Sequence, residues 1–279
     1  MASTTTPKPS LAFFGATGGC AGAALALALK AGYTVHALAR TPSKLRKFMS
    51  ETHSVPDDAL NAHLHVVEGS VSDAQAVREV LLIGGTVASV VVFGIGSYPK
   101  FNKSLRTPFT LEDPHVCAGA MRAIVEAADG LKCYMRGEVG REQKPLVVTI
   151  STTGVTRKTR DVPAVVLPMY HYFLRVMHDD KREMEDILEA ATVGSNKEGK
   201  KPFGRSVVIR PSLLTDGEPK GLEKVRVGWE AHADESKEGQ GPAVGYAINR
   251  ADVGAWIFAE VIEKEANTPW AGKAVSLTY

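Results

Sequence analysis

Three glycines near the start of the sequence follow a short apolar run and precede a helical stretch. Gly15 would allow a tight turn, Gly18 would let a pyrophosphate approach the backbone, and the small Ala21 would let the helix pack against the strand. The free amides and the positive dipole end of such a helix favour phosphate. We therefore predict a dinucleotide site here, against the alternative of a turn needed only for packing. The predicted contacts are Gly15, Thr17, Gly18, Gly19, Cys20 and Ala21.

The end of the second apolar run bears on which nicotinamide nucleotide binds. An NAD site usually places Asp or Glu there, bonded to the ribose 2′-hydroxyl. This sequence has Arg40 at that point, with Lys44 nearby. A guanidinium pairs with phosphate in a forked geometry, and a lysine adds a point charge. The pair therefore predicts NADP(H), unless both residues are only solvated surface charges.

Two further run ends complete the predicted cofactor groove. Ser70 and Val71 follow the third run, in a position that suits the adenine pocket. The neighbouring Ser72 or Asp73 could equally be only a helix cap. Small residues after the fourth run would let the backbone pass along the ribose and phosphates. Those residues are Gly94, Ile95 and Gly96.

All of these residues lie within an alternation of strands and helices. Several apolar runs are continuous, as in strands buried on both faces of a parallel sheet. The predicted strands are Leu11–Gly15, Tyr33–Ala39, Leu64–Val67, Ala88–Gly94, Leu146–Ser151, Ser206–Arg210 and Ala274–Leu277. The predicted helices are Cys20–Ala31, Ser72–Leu82, Pro114–Lys132, His178–Ala191 and Arg250–Lys264. The pattern predicts an α/β fold: a Rossmann-like, doubly wound parallel sheet with helices on both faces.

Two long segments interrupt the alternation after the fifth and sixth runs. Ligands of open α/β sheets lie outside the carboxyl ends of the strands. Segments 154–177 and 213–248 leave from such ends, so we predict that they form a small cap on the substrate side. We predict a flexible N-terminus over 1–9 and a single NAD(P)-binding domain over 10–279.

The ordered motifs resemble the atypical short-chain dehydrogenases/reductases, in particular their NAD(P)H-binding, NmrA-like branch and its fungal averufin-oxidase-like type. The motifs are Gly15-Ala-Thr-Gly18, Ala39-Arg40-Thr-Pro-Ser-Lys44, Val147-Val-Thr-Ile-Ser151-Thr-Thr153-Gly154, His178-Asp-Asp-Lys181, Ile209-Arg210-Pro211 and Asn249-Arg250-Ala-Asp252-Val253. The resemblance implies a Rossmann-like fold, NADP(H) and a site at the fifth-strand edge. It also suggests a homodimer. It leaves the reaction open, because this branch contains reductases, redox-sensing regulators and enzymes of other kinds.

The catalytic tyrosine typical of short-chain dehydrogenases is missing from its usual motif. Those enzymes place Tyr-x-x-x-Lys on one helix, where the tyrosine is the general acid and the lysine lowers its pKa. The residues four places after the tyrosines are Ala37, Asn102, Glu138, Leu174, Val176 and Arg250. None of them is lysine, so an ordinary tyrosine-based mechanism is not supported.

Other residues could take over parts of that chemistry. Hydroxyls at the end of the fifth run could reach a substrate oxygen or only bond to backbone. Lys181 could face the cofactor ribose or form a helix-surface ion pair with Glu185. Two tyrosines of the cap could donate a proton or only pack. Arg210 is more a structural than a catalytic candidate. The predicted catalytic residues are Ser151, Thr152, Thr153, Tyr170, Tyr172 and Lys181.

Three functions fit these residues. The first is an NADPH-dependent oxidoreductase acting on a small, aromatic or polyketide-like metabolite. The second is a regulator that binds NADP as a redox signal without turnover. The third is a non-redox isomerase, dehydratase or cyclase on the same scaffold.

Composition sets the remaining expectations. The chain has 279 residues, 44% of them hydrophobic and 23% charged, with a net charge of +2. That balance gives no support for a nucleic-acid or anionic-membrane partner. Three cysteines without a C-x-x-C pair suggest a reducing, cytoplasmic setting. There is no apolar run of the roughly 18 residues that a spanning helix needs. Neither a metal site nor a signal peptide is predicted.

Overall fold

A computed structural model describes residues 8–96, 100–101, 109–110, 112–131, 144–156, 160–165, 174–193, 201–231 and 239–279. The strands are β1 (Leu11–Phe14), β2 (Val35–Ala39), β3 (Leu64–Glu68), β4 (Leu82–Ile83), β5 (Thr86–Val87), β6 (Val90–Phe93), β7 (Lys100–Phe101), β8 (Phe109–Thr110), β9 (Leu146–Ile150), β10 (Arg205–Pro211), β11 (Leu213–Thr215), β12 (Arg226–Ala231), β13 (Ala247–Asn249) and β14 (Lys273–Thr278). The helices are α1 (Gly19–Lys30), α2 (Pro42–Lys47), α3 (Asp57–His63), α4 (Ala74–Leu81), α5 (Val116–Gly130), α6 (Arg175–Ala191) and α7 (Arg250–Ile257).

Eight strands form one sheet in the order β12-β14-β10-β9-β6-β1-β2-β3. Every neighbouring pair in it is parallel except β12 with β14. The chain moves outward from β1 to β2 and β3, then crosses back to β6 and continues the other way. This is the doubly wound, Rossmann-like fold that the sequence predicts. Its topological switch point lies between β1 and β6, where such folds bind their ligands.

The two faces of the sheet pack against different helices. In β1, Leu11 and Phe13 belong to the core that includes residues of α1 and α7. Ala12 and Phe14 belong to the opposite core, with residues of α4, α5 and α6. All four side chains are fully buried. The continuous apolar run of β1 therefore has the cause that the sequence suggested, because both faces of the strand are covered.

One strand of the sheet is missing from the sequence prediction. β12 lies inside the segment 213–248 that was predicted as cap, and pairs antiparallel with β14 at the edge. Its residues Arg226, Gly228 and Glu230 are charged or small, which conceals a strand pattern. Part of the predicted cap is thus an extension of the main sheet.

Helix α5 begins at Val116, two residues later than the predicted start at Pro114. Asp113, which precedes the predicted start, accepts a hydrogen bond from the His115 amide, at 2.9 Å. The helix itself is capped from α6, since the Asp180 carboxylate accepts from the amides of Cys117 (3.0 Å) and Ala118 (2.9 Å). A distant carboxylate is thus the cap, which sequence spacing could not reveal.

Two described contacts hold Lys8 in the N-terminal segment. Lys8 donates to the carbonyl of Ala31, and its ammonium lies 5.2 Å from the centre of the Tyr33 ring. Of the segment predicted to be flexible, 1–9, residues 1–7 lie outside the described residues. No described helix is long and apolar enough to cross a membrane.

A buried ionic network ties β10 to α6 and β12. Arg210 binds Glu185 through two hydrogen bonds, at 3.2 and 2.6 Å, and Glu230 through a third, at 3.0 Å. All three side chains are at most 10% exposed. Burial alone would lower the pKa of Arg210, but the two carboxylates outweigh it and raise that pKa. The prediction that Arg210 is mainly structural agrees with these contacts.

We expect Arg210→Met to lower the free energy of unfolding by about 3 kcal/mol or more, because it leaves buried carboxylates without their guanidinium. Urea denaturation would measure the loss. The matched control is Arg205→Met on the same strand, whose partner Glu265 is 20% exposed. A pair at that exposure is worth less than about 1 kcal/mol. Equal losses in the two variants would contradict the role given to Arg210.

Candidate cofactor and active site

The turn between β1 and α1 is built around a backbone contact that only glycine permits. Gly15 has a φ of +78°. A Cβ there would lie 2.6 Å from the carbonyl carbon of Gly94 and 2.6 Å from the amide nitrogen of Ile95. A Cβ on Gly94 would in turn lie 2.5 Å from the Cβ of Ala21. The first turn and the end of β6 therefore meet at the switch point without intervening side chains.

We call the close contact of Gly15 with Gly94 and Ile95 the cradle. The N-terminus of α1 lies beside it, and no side chain caps the first backbone amides of that helix. Its N-cap is Gly18, which provides no side-chain hydrogen bond, and the first turn of the helix has no acidic residue. Thr17 is exposed, whereas Cys20 is buried. An uncapped helix start beside a glycine cradle fits the pyrophosphate of a dinucleotide.

Arg40 and Lys44 occupy the predicted place at the end of β2. Arg40 follows the last residue of the strand, and Lys44 lies in α2. Both side chains are exposed. The neighbouring strand β3 ends at Glu68, which is in register with Ala39. The two positive charges are thus presented at the outer side of the groove.

At the end of β3, the structure decides between two interpretations of the same short segment. Asp73 is the N-cap of α4 and accepts hydrogen bonds from the amides of Gln75 (2.9 Å) and Ala76 (3.3 Å). The Ser70 hydroxyl accepts a hydrogen bond from the hydroxyl of Ser72, at 3.0 Å. Asp73 is therefore a helix cap, and the roles of Ser70 and Val71 in the adenine pocket stay predictions.

Lys181 joins the ends of two strands. Its ammonium donates to the carbonyl of Ile150 at the end of β9, at 2.8 Å, and to the carbonyl of Ile95 after β6, at 3.2 Å. The predicted alternative, an ion pair with Glu185, does not occur, because Glu185 binds Arg210 instead. The amine thus lies beside the cradle, with one of its three N–H donors unused by these two bonds.

Ser151 is buried directly after β9, and its hydroxyl has no hydrogen-bond partner among the described residues. Its backbone amide donates to the carbonyl of Ile209, at 2.7 Å, which fixes its position. Thr153 is also buried, with its amide bonded to the carbonyl of Pro211 at 3.0 Å, whereas Thr152 is half-buried. Buried hydroxyls nearly always have a partner, so Ser151 is the strongest candidate of the three for contact with a ligand.

The residue four places before Lys181 is Met177. It stands where a tyrosine would complete the usual Tyr-x-x-x-Lys motif, and a thioether cannot donate a proton. Tyr170 and Tyr172, the predicted substitutes, lie outside the described residues. His178 is buried against Gly154, where a Cβ would lie 2.7 Å from the ring carbon Cε1. That contact favours a structural role for His178 over a role in proton transfer.

In the loop after β9, both the amide and the carbonyl of Gly154 form hydrogen bonds with side chains. Asp161 accepts a hydrogen bond from the Gly154 amide, at 2.9 Å. Arg182 donates to the carbonyls of Gly154 (2.9 Å) and Val155 (3.1 Å). Burial raises the pKa of the Asp161 carboxyl. The start of the first predicted cap segment is therefore anchored, although sequence analysis singled out neither Asp161 nor Arg182.

Two thiols lie under the cradle. Burial raises the pKa of Cys20 to about 12 and that of Cys117 to about 11. The Cys117 thiol donates to the carbonyl of Ile95, at 3.4 Å. Both thiols are therefore neutral at physiological pH, and neither is an activated nucleophile. Within the described residues, no group of three or more His, Cys, Asp or Glu side chains could hold a metal ion.

The sequence match and the cradle point to the same ligand. The sequence model of a family described as NAD(P)H-binding matches residues 15–264. The chain belongs to this NAD(P)H-binding family. The resemblance to NAD(P)H-binding reductases is thereby confirmed, and a nicotinamide dinucleotide is the cofactor class that the residues at the switch point fit.

Two relatives are similar over nearly the whole chain. The sequence is 40% identical over 278 residues to reductase PytE of Aspergillus terreus, covering 98% of each protein. It is 35% identical over 298 residues to oxidase PynE of Aspergillus niger, covering 97% of this chain and 99% of that protein. Among solved structures, Gre2 of Candida albicans in complex with NADPH matches with a TM-score of 0.54 at 14% identity, covering 96% of this chain and 79% of that one. That likeness concerns the fold alone.

We expect Gly15→Ala to abolish cofactor binding, because the new Cβ would collide with backbone atoms that cannot yield. Calorimetric titration with NADPH would measure the loss. Gly84→Ala is the control, since Gly84 also has a positive φ (+59°) but nothing within 4 Å of its Cβ position. If the two variants bound the cofactor equally well, the collision would not be what matters.

Proposed function

We propose that the protein is an NADPH-dependent oxidoreductase acting on a small, aromatic or polyketide-like metabolite. The observation that carries the proposal concerns two neighbouring groups beside the dinucleotide cradle. Lys181 donates to the carbonyl of Ile150, and the next residue, Ser151, has a buried hydroxyl with no hydrogen-bond partner among the described residues. A family whose sequence model is described as NAD(P)H-binding supports the cofactor class, and relatives named reductase and oxidase support redox chemistry.

The choice of NADPH rests on charge at the end of β2. Arg40 stands where an NAD-selective site keeps a carboxylate, and Lys44 adds a second positive charge on the next helix. Both are exposed, so a dianionic 2′-phosphate would gain their attraction without a large desolvation cost. A 2′-hydroxyl would gain little from either residue.

The choice of an apolar substrate rests on the cap. Leu213 and Tyr246 are 58% and 64% exposed. They are neighbours, since the Leu213 amide donates to the Tyr246 carbonyl at 3.2 Å. Both lie in the segment after β10, on the side of the sheet where ligands bind. Large apolar side chains in such a place favour contact with a flat hydrophobic molecule.

The division of labour between cofactor and protein follows from these positions. The bound nicotinamide supplies or accepts hydride. Lys181 is fixed by two carbonyls and adjoins the Cys117 thiol, and from this position its ammonium can reach a ribose hydroxyl or a substrate oxygen. Ser151 can donate a hydrogen bond to the oxygen whose charge grows during reduction. With Met177 in place of a tyrosine, the proton comes from another group, for which Tyr170 and Tyr172 remain the candidates.

The cytoplasm as compartment and the homodimer as assembly stay predictions. The two described cysteines, Cys20 and Cys117, are free and buried, which suits a reducing compartment.

The proposed function is tested with purified protein, NADPH and a panel of quinones and aromatic ketones. Loss of NADPH absorbance with formation of a reduced product is the expected result. Tight NADPH binding without turnover of any acceptor would favour the redox-sensing regulator. Product formation without NADPH consumption would favour a non-redox isomerase, dehydratase or cyclase.

We expect Arg40→Glu to weaken NADPH binding by roughly a hundredfold, because it replaces an attraction to the 2′-phosphate by a repulsion. NADH binding should change little, since that nucleotide has no such group. Arg78→Glu, in the last turn of α4, reverses the same charge away from the groove and serves as control. Equal losses for NADPH and NADH in Arg40→Glu would refute the assignment.

We expect Ser151→Ala to lower kcat/KM by roughly ten- to a hundredfold while NADPH affinity stays at the wild-type value. Thermal unfolding should shift little, because the removed hydroxyl forms no hydrogen bond with described residues and leaves no partner unpaired. Steady-state kinetics and a melting curve test both statements. A large drop in melting temperature with unchanged kcat/KM would make Ser151 a structural residue.

A further inference from the structure

An arginine from the far end of the chain lies on the dinucleotide turn. Arg250 is the first residue of α7, and Gly19 is the first residue of α1. A Cβ on Gly19 would collide with Cδ of Arg250 and would lie 3.3 Å from its Cβ and Cγ. The stem of Arg250 thus packs on the helix start where the glycine leaves room for it.

Arg250 places its positive charge next to the N-terminus of α1, where a cation is electrostatically unfavourable. The N-terminus of a helix carries a partial positive charge, and anions rather than cations are stabilised there. The helix start has neither an acidic residue in its first turn nor a side-chain cap that could offset the guanidinium. A cation and an uncapped helix N-terminus facing the same space both favour an anion between them.

The carboxylate that pairs with Arg250 belongs to Asp216, and the ion pair is open to solvent. Arg250 forms an ion pair with Asp216, at 2.8 Å, in which the arginine side chain is 24% exposed and the carboxylate 85% exposed. An ion pair so open to water contributes little net attraction. A phosphate could therefore replace Asp216 at small cost.

The backbone around the ion pair is ordered by other contacts. β11, which ends just before Asp216, pairs in parallel with β13, which ends just before Arg250. The side-chain amide of Asn249 donates to the carbonyl of Gly217, at 2.9 Å, and its oxygen accepts from the amide of Ala251, at 2.8 Å. Arg250 would thus keep its place after Asp216 is released.

We propose that Arg250 binds the pyrophosphate of the nicotinamide nucleotide and that Asp216 is its displaceable counter-ion. Cofactor binding then exchanges one anion for another at the guanidinium, while the backbone of both segments stays in place. The inference rests on the cofactor of the proposed function, and is independent of the substrate and of the direction of reaction.

Two features distinguish this role from that of Arg40. The pyrophosphate is common to both nicotinamide nucleotides, so Arg250 should affect NADPH and NADH alike. The two members of the ion pair should also act in opposite directions, because one binds the nucleotide and the other competes with it.

The test is calorimetric titration of the full-length variants with NADPH and with NADH. Arg250→Met should weaken the binding of both nucleotides by roughly tenfold or more. Asp216→Asn should tighten both by roughly two- to fivefold. In the double variant, Asp216→Asn should no longer tighten binding, because Asp216 can compete with the nucleotide only when the guanidinium of Arg250 is present.

Glu218→Gln is the matched control. It removes the same charge two residues from Asp216, and Glu218 is exposed. We expect Glu218→Gln to bind both nucleotides with wild-type affinity. If it tightened binding as much as Asp216→Asn, the tightening would come from the loss of any nearby negative charge, and the counter-ion role of Asp216 would be overturned. Weaker binding in Asp216→Asn would also overturn that role.

The remaining outcomes separate this inference from the proposed function. If the wild type binds NADPH and Arg250→Met binds it equally well, the inference fails and the proposed function stands. If the wild type binds neither nucleotide, both fail. Should Arg250→Met not fold, Arg250→Lys and the exposed Asp216→Asn still decide the question.

Discussion

Two backbone segments meet at the centre of the sheet with no space for a side chain between them. Gly15 lies against Gly94 and Ile95, and Ala21 lies against Gly94, so α1 starts directly beside the end of β6. This contact sets where the helix dipole points and how near a phosphate can come. It also brings the carbonyl of Ile95 to a place where Lys181 and Cys117 both reach it. The groove therefore depends on the lack of a Cβ atom at Gly15 and Gly94, where the first turn meets the end of β6.

Helix α6 connects this crossing to the rest of the site. Four of its side chains each fix another element: Asp180 caps α5, Lys181 joins the ends of β6 and β9, Arg182 holds the loop at Gly154, and Glu185 binds Arg210 of β10. Since the contacts lie on successive turns of one helix, a small displacement of α6 would move several walls of the site together. The helix thus positions the site more than it supplies chemical groups.

The sequence predicted most of what depends on local pattern. The seven predicted strands and five predicted helices all occur, and the doubly wound order followed from their alternation. The sequence did not reveal β12, whose buried Glu230 binds Arg210 of a distant strand. Nor did it reveal Arg250 on Gly19, because residues more than two hundred positions apart meet only after the sheet has formed. Partners distant in the chain were beyond pattern analysis.

The buried hydroxyl of Ser151, which has no hydrogen-bond partner among the described residues, bears on how the site would discriminate between similar molecules. A buried polar group without a partner costs on the order of 1–3 kcal/mol, and a ligand that supplies the missing bond recovers that energy. An otherwise identical molecule with a methylene at the same point would recover nothing and would be rejected by a factor of ten to a hundred or more, on the order expected for such sites. The proposed contact with Ser151 would thereby favour oxygenated ligands over their deoxygenated counterparts before any chemistry begins.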